Sequence, residues 1–202
     1  MPSETDCLND ALGQIGAAKV TAIDDGSINA NHCAIFYPPL LDSILRSHHW
    51  NFSVTRVELA LDLAAPVSGF AYAYTLPPDN LKVIDYAGAN PSTLAVPYVL
   101  WYGLRYKPFY KIEGDKLLSN DGTAFIVYLR RVTNPDEWDA LFYQVVATWL
   151  ASKLALAIPK DAKKAAELLN LAVNVLLPQA TAVDGQEGSV EAFVVDDLLW
   201  NR

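Results

Sequence analysis

Near the start of the chain apolar residues recur at helical spacing. Leu8, Ala11, Leu12 and Ile15 share one face, and Ser3 stands where a helix N-cap is expected. Gly13 and Gly16 weaken the end of that helix, and Asp24-Asp25-Gly26-Ser27 makes a loop. A second helix is predicted from about Ile28 to His48, presenting Ala30, Cys33, Tyr37, Leu41, Ile44 and Leu45. Pro38-Pro39 falls inside it and predicts a kink or a break, because proline removes a hydrogen bond and crowds the preceding turn.

From Trp50 the periodicity changes. Asn51 to Leu63 mixes β-branched, aromatic and polar residues with no helical stripe. Phe70 to Leu76 has strand character, and Pro77-Pro78-Asp79-Asn80 turns the chain into a second strand over Leu81 to Tyr86. Pro91 to Pro108 is irregular and rich in aromatics. Tyr110-Lys111-Ile112 and Lys116-Leu117-Leu118 flank Glu113-Gly114-Asp115 as a hairpin, and Thr123 to Leu129 is the clearest strand. A sheet module thus lies between two helical regions.

The helical pattern returns at Asn134-Pro135-Asp136-Glu137, which supplies an N-cap, a proline at the first helical position and two acids at the positive dipole end. That helix is expected to run through Leu141, Val145, Val146, Trp149, Leu150 and Leu154 to about Ile158. Another starts near Asp161, with Ala162, Ala165, Ala166, Leu169, Ala172, Val173 and Leu176 as its stripe, and Pro178 ends it. The short connection implies an antiparallel pair. The remainder, Gln179 to Arg202, opens polar and turns apolar, and is read as an arm that docks elsewhere.

With 202 residues, 52% of them hydrophobic, the chain can hold one substantial core, burying roughly 70% of its unfolded surface. That content excludes wholesale disorder. The net charge is −8, from 15 basic and 23 acidic side chains, which excludes a phosphate-gripping surface, since such affinity needs clustered Lys and Arg. The acidic start lacks the basic and apolar run of a secretory signal. Ala140 to Ile158, though apolar, carries Gln144 and Lys153 and reads as a buried helix. Cys7 and Cys33 are expected to be reduced core residues.

The chemistry-bearing patterns are missing. There is no Walker-type or dinucleotide glycine loop, no G-x-S-x-G and no H-E-x-x-H. His32, His48 and His49 are read as packing or surface residues rather than metal ligands, because neighbouring helical positions point about 100° apart. Asp24-Asp25-Gly26-Ser27 lacks the further acids of a calcium loop and reads as a turn that caps a helix. Asp136/Glu137 and Asp196/Asp197 are carboxylate pairs without the setting of a glycosidase site. No catalytic residue, cofactor or metal is expected.

One ordered set of motifs rises above composition. Leu8-Asn9-Asp10-Ala11-Leu12-Gly13-Gln14-Ile15-Gly16 precedes Val20-Thr21-Ala22-Ile23-Asp24-Asp25-Gly26-Ser27. Leu41 to Ser53, Tyr72 to Asp79, Leu117-Leu118-Ser119-Asn120 and Trp138-Asp139 follow. In that order they resemble the tail tubular protein A family of short-tailed bacteriophages, over roughly residues 5 to 177. The C-terminal tail and Pro38-Pro39 depart from the pattern.

The resemblance implies an α+β fold in which residues 1–50 and 132–178 form an antiparallel helical bundle of about four helices. Residues 51–131 would be an inserted antiparallel β-domain; residues 179–202, outside the resemblance, are read from their own pattern as an extended C-terminal arm. The resemblance implies a virion protein of the tail, made in the host cytoplasm, whose twelve copies form a ring between the portal protein and the nozzle protein. DNA would pass through the channel without specific binding, and no membrane would take part. Phe193, Val194, Val195, Asp196, Asp197, Leu198, Leu199 and Trp200 are the expected portal-docking residues. Trp101, Tyr102, Tyr106, Phe109 and Tyr110 are expected at a subunit or nozzle interface. A tail-associated carbohydrate-binding module is the alternative, with Trp101, Tyr102, Tyr106 and Tyr110 as its sugar platform.

Overall fold

The computed structural model describes residues 2–64, 66–88 and 109–187. The protein is α+β, with helices around one hydrophobic core and two three-stranded antiparallel sheets around a second.

Helix α1 spans Glu4–Gln14 and starts with a reciprocal cap. The Ser3 hydroxyl accepts from the Asp6 backbone N–H, and the Asp6 carboxylate accepts from the Ser3 backbone. Helix α2 spans Ile28–Ser47 behind Ser27, whose side chain accepts from the Ala30 N–H. The expected break at Pro38-Pro39 does not occur: α2 is one helix of 20 residues. Both prolines are exposed, as are Ala34 and Ile35, whose carbonyls lose their helical donors, so water can replace the missing bonds.

The long helix α3 spans Ala140–Ala157, and its start differs from expectation. Asn134 caps only a single 3-10 turn, Pro135–Glu137. Asp139 caps α3 itself, accepting from the N–H groups of Leu141 at 2.7 Å and Phe142 at 3.3 Å. Proline fixes the first φ but cannot hold the chain helical through Trp138, whose indole turns inward to donate to the Val132 carbonyl at 2.9 Å. Helix α4 spans Ala162–Leu171, starting where expected, and is capped by Asp161.

Pro178 does not end this last helical segment. A π-turn at Ala172–Leu176 leads into helix α5, Leu177–Asp184, with Pro178 in its first turn, so one helix runs from Ala162 to Asp184. Residues 179–187 therefore belong to that helix and its end, not to an arm; residues 188–202 lie outside the described residues. Cys7 and Cys33 are free thiols within the helical core.

Between the helices the sheet region is made of two sheets. Strands β1 (Val54–Glu58), β6 (Phe125–Arg130) and β3 (Asn80–Ala87) pair in that order. Strands β2 (Tyr72–Thr75), β5 (Lys116–Ser119) and β4 (Tyr110–Glu113) form the second sheet. The β4–β5 hairpin turns at Gly114, which takes a φ of +60° that a side chain would disfavour. Val83, Tyr86, Ile126 and Tyr128 from the first sheet meet Tyr74 and Leu117 from the second. Strand β3 also sends Leu81 to the helical core, so it touches both.

An aromatic cluster joins α2, β1 and α3. Trp50 is fully buried between His48 and Phe142, with ring centroids 4.9 and 4.8 Å away, and Phe52 and Trp138 also pack on Phe142. Rings of this size supply much of the apolar surface removed from water and prefer these edge-on geometries.

Candidate interaction surfaces

Of the five aromatics expected at an interface, the structure describes two, and it separates them. Phe109 precedes β4 and is 73% exposed, its ring stacked on Phe70 at 5.4 Å. Tyr110, one residue on, turns the other way and packs on Tyr86 at 5.0 Å, as alternation along a strand requires. Trp101, Tyr102 and Tyr106 lie outside the described residues, as do Phe193 to Trp200. Around Phe109, Ile112 on β4 adds to the rim of the second sheet, and Leu61, Leu63 and Val67, between β1 and β2, are exposed as well. Strand β4 is an edge strand of that sheet and is exposed over Lys111–Glu113.

Inside this rim a polar cluster links the two sheets. The Tyr86 hydroxyl lies 2.5 Å from Ser119 Oγ and donates to Asp121 Oδ2 at 2.8 Å, while the Tyr74 hydroxyl donates to the Asp121 carbonyl. A serine beside a carboxylate invites comparison with a nucleophile, but Ser119 is fully buried and no histidine joins it. Burial pushes the Tyr86 phenol well above its ordinary range, so it stays a proton donor. The cluster clamps β3 to β5.

A second exposed surface runs along the helix from α4 to α5, where the sequence predicted a buried stripe. Ala165, Ala172 and Ala180 face the core, while Leu169, Leu171, Val175 and Val183 are about two-fifths to one-half exposed. From Leu168 to Val183 there is no charged residue. That uncharged run is longer around the helix than one buried face needs, and it was the available signal for a second, outer apolar surface. Beside it lies a groove of about 710 Å³ between α1, α3 and the π-turn, lined by Asn9, Asp10, Gln14, Lys19, Tyr143 and Leu171 among others. The Tyr143 hydroxyl donates to Asp10 at 2.6 Å across its floor.

Among the described residues two helical segments are long and apolar enough to cross a membrane, Ala140–Ala157 and Ala162–Asp184. The first is mostly buried in the helical core; the second is the exposed one just described.

The histidines take separate partners. His48 Nε2 lies 2.9 Å from Asp184, His49 lies 3.4 Å from Lys82 Nζ, and His32 stacks on Phe36. Among the described residues no group of three or more His, Cys, Asp or Glu is placed to hold a metal ion. Asp25 accepts from the Thr21 and Ser27 backbone N–H groups, and Ser27 caps α2, so the acidic loop forms a helix-initiating turn. No family model matches this chain, and no curated protein matches it.

Proposed function

We propose that the chain is a structural subunit of a short-tailed phage tail, an adaptor whose copies form a ring between portal and nozzle and let DNA leave through the channel. The observation that carries this reading is the pair of unlike apolar surfaces left uncovered on one chain. One is the sheet rim around Phe109, Phe70 and Ile112; the other is the α4–α5 face around Leu171 and Val175. A ring needs a patch on each copy that meets a different patch on the next, whereas a self-complementary patch closes at a dimer. The motif order given above supplies the family, and the charge of −8 suits a conduit that does not hold phosphates.

In this reading the helices act as a bundle carrying an inserted β-domain, and the role is structural rather than catalytic. Phe109, with Trp101, Tyr102 and Tyr106, serves a subunit or nozzle contact, while Tyr110 packs inward on Tyr86, and Phe193 to Trp200 dock on the portal. The test is mass measurement in solution with negative-stain imaging, on the chain alone and with a portal protein. A ring, free or formed on the portal, supports the reading. A chain that stays single and ignores the portal sinks it. Phe109→Ser with Ile112→Lys should abolish the ring while costing no more than about 1 kcal/mol of fold stability, because Phe109 is 73% exposed and Ile112 43%.

A further inference from the structure

We propose that the groove between α1, α3 and the π-turn is a binding site for a guanidinium carried on an aliphatic stem, the group that an arginine side chain presents. The site stands on the groove's own lining and goes beyond the adaptor reading.

A buried hydroxyl without a partner points to a ligand. Thr148 lines the groove and is only 5% exposed, yet its side chain has no hydrogen-bond partner among the described residues. A helical hydroxyl of this kind commonly turns back to a carbonyl of the preceding turn, as Ser152 does to Trp149 at 2.6 Å. A polar group so far from water costs stability unless something meets it. Gln144, one turn earlier on α3, and Gln14, on the α1 wall, bring two more side chains without a described partner.

Asp10 sets the sign of the ligand. Its Oδ2 accepts from the Tyr143 hydroxyl at 2.6 Å, which leaves Oδ1 free to accept from an occupant of the groove. Burial, with the bond to Asp10 adding, pushes the Tyr143 phenol well above its ordinary range, so the tyrosine keeps its proton on Asp10. Helix α1 ends in this wall at Gln14 with no basic residue in its last turn, so its negative pole adds to the carboxylate. Lys19 also lines the groove, but part of its field goes to Asp6. Bonds from Ser3, with the Lys19 charge adding, hold that carboxyl below the usual range. A guanidinium has five N–H donors in one plane and can serve acceptors on two walls at once. An ammonium is a compact point charge and suits them less well.

The opposite wall takes the stem. A π-turn hydrogen bonds residue i to residue i+5, which brings positions five apart onto one side of the helix. Leu171 and Leu176 are five apart across the π-turn, and both line the groove. In a regular helix they would diverge by about 140°. The bulge thus gives the groove an apolar wall facing its acidic one. Asn9 keeps the α1 wall in place, donating to the Val20 carbonyl at 2.9 Å and accepting from the Val20 N–H at 2.8 Å. A cleft formed in advance saves the ligand the cost of ordering it.

The test is titration of the isotope-labelled full-length chain with n-butylguanidinium, read from its amide resonances. Those of Asp10, Gln144 and Thr148 should shift and saturate with a Kd below about 10 mM, and n-pentanol, a neutral chain of similar length, should bind roughly tenfold more weakly. Asp10→Asn keeps an acceptor for Tyr143 but removes the charge, and should weaken binding about tenfold; Thr148→Val keeps the shape and should weaken it about threefold. Unmoved resonances on α2 and β6 show that both variants are folded. Absence of saturation in the unaltered chain overturns the proposal, as does equal binding of the alcohol or binding that either substitution leaves unchanged. N-acetyl-arginine-N-methylamide separates the two sources of the group. Binding as tight as that of n-butylguanidinium assigns a protein's arginine side chain; binding about tenfold weaker assigns a free guanidino compound, and both outcomes support the site. None of these readouts needs a portal or a ring, so their failure and that of the adaptor reading are told apart.

Discussion

His48 and Asp184 stand 136 positions apart in sequence and meet at 2.9 Å, Nε2 to Oδ2. Asp184 is the last residue of α5 and only 6% exposed. Its other carboxylate oxygen accepts from the Asn51 backbone N–H at 3.0 Å, and its carbonyl accepts from the Asn51 side chain. These bonds hold the end of the last helix against the junction of α2 and β1. Asp184→Ala should cost about 1–3 kcal/mol in denaturant unfolding, because it strands the Asn51 N–H in a poorly solvated place. An unchanged midpoint would mean that this helix end is not held there.

The two thiols should make the protein sensitive to alkali. Burial pushes Cys7 up to about 12, with the Asp10 and Glu4 carboxylates adding, and pushes Cys33 up to about 11. The folded state thus favours the neutral thiol, so this stability is fully present below the ordinary thiol value of 9. It is lost as pH rises from there toward 12. Unfolding midpoints should fall between pH 9 and 11, and a thiol reagent at pH 8 should label the native chain far more slowly than the unfolded one. Equal labelling rates would refute the buried placement of both cysteines.

Gly88 lies where a Cβ would run into the Asp121 side chain. Gly88→Ala must displace that carboxylate from Tyr86 and Ser119, loosening the clamp between the sheets. A loss of about 1–3 kcal/mol is expected, and in the Asp121→Ala background the same substitution should cost clearly less. Equal costs in both backgrounds would show that the close approach does not matter.

The two cap residues before α3 separate cleanly. Asp139→Ala should cost about 1 kcal/mol, since two N–H groups at the start of an 18-residue helix lose their acceptor. Asn134→Ala removes one 3.2 Å bond within a single exposed turn and should cost less. The reverse order in thermal unfolding would return the helix start to Asn134.

Legibility in the sequence followed the range of the interactions. The cap at Ser3, the helix start near Asp161, the turn before α2 and the β4–β5 hairpin all depend on neighbours within four residues, and each could be read directly. Asn134 misled because Asn-Pro-Asp-Glu carries the same local signal for one turn as for a long helix. Pro38, Pro39 and Pro178 misled because exposure and position in a first turn decide whether proline stops a helix, and neither is local information. The packing of one sheet on the other depends on Tyr86 and Ser119 finding each other across 33 residues. For the surfaces, Phe109 was legible as an aromatic beside a strand, while its separation from Tyr110 needed the pleat. Leu171 and Val175 were hidden because a stripe shows which positions are apolar, not how many of them the rest of the chain can cover.

The π-turn in the last helix has a consequence for how the gene can drift. Ala165 and Ala172 are seven residues apart, two ordinary turns, but Ala172 and Ala180, both buried, are eight apart. The surplus residue is absorbed within Ala172–Leu176. Loss of one codon there, Asn174 for instance, should leave a regular helix with Ala180 and Asp184 still in their seats, and the melting temperature should barely move. The same loss at Leu168 would swing everything downstream by about 100° and pull Asp184 away from His48. That bulge is the one place in the segment where its length is free to change.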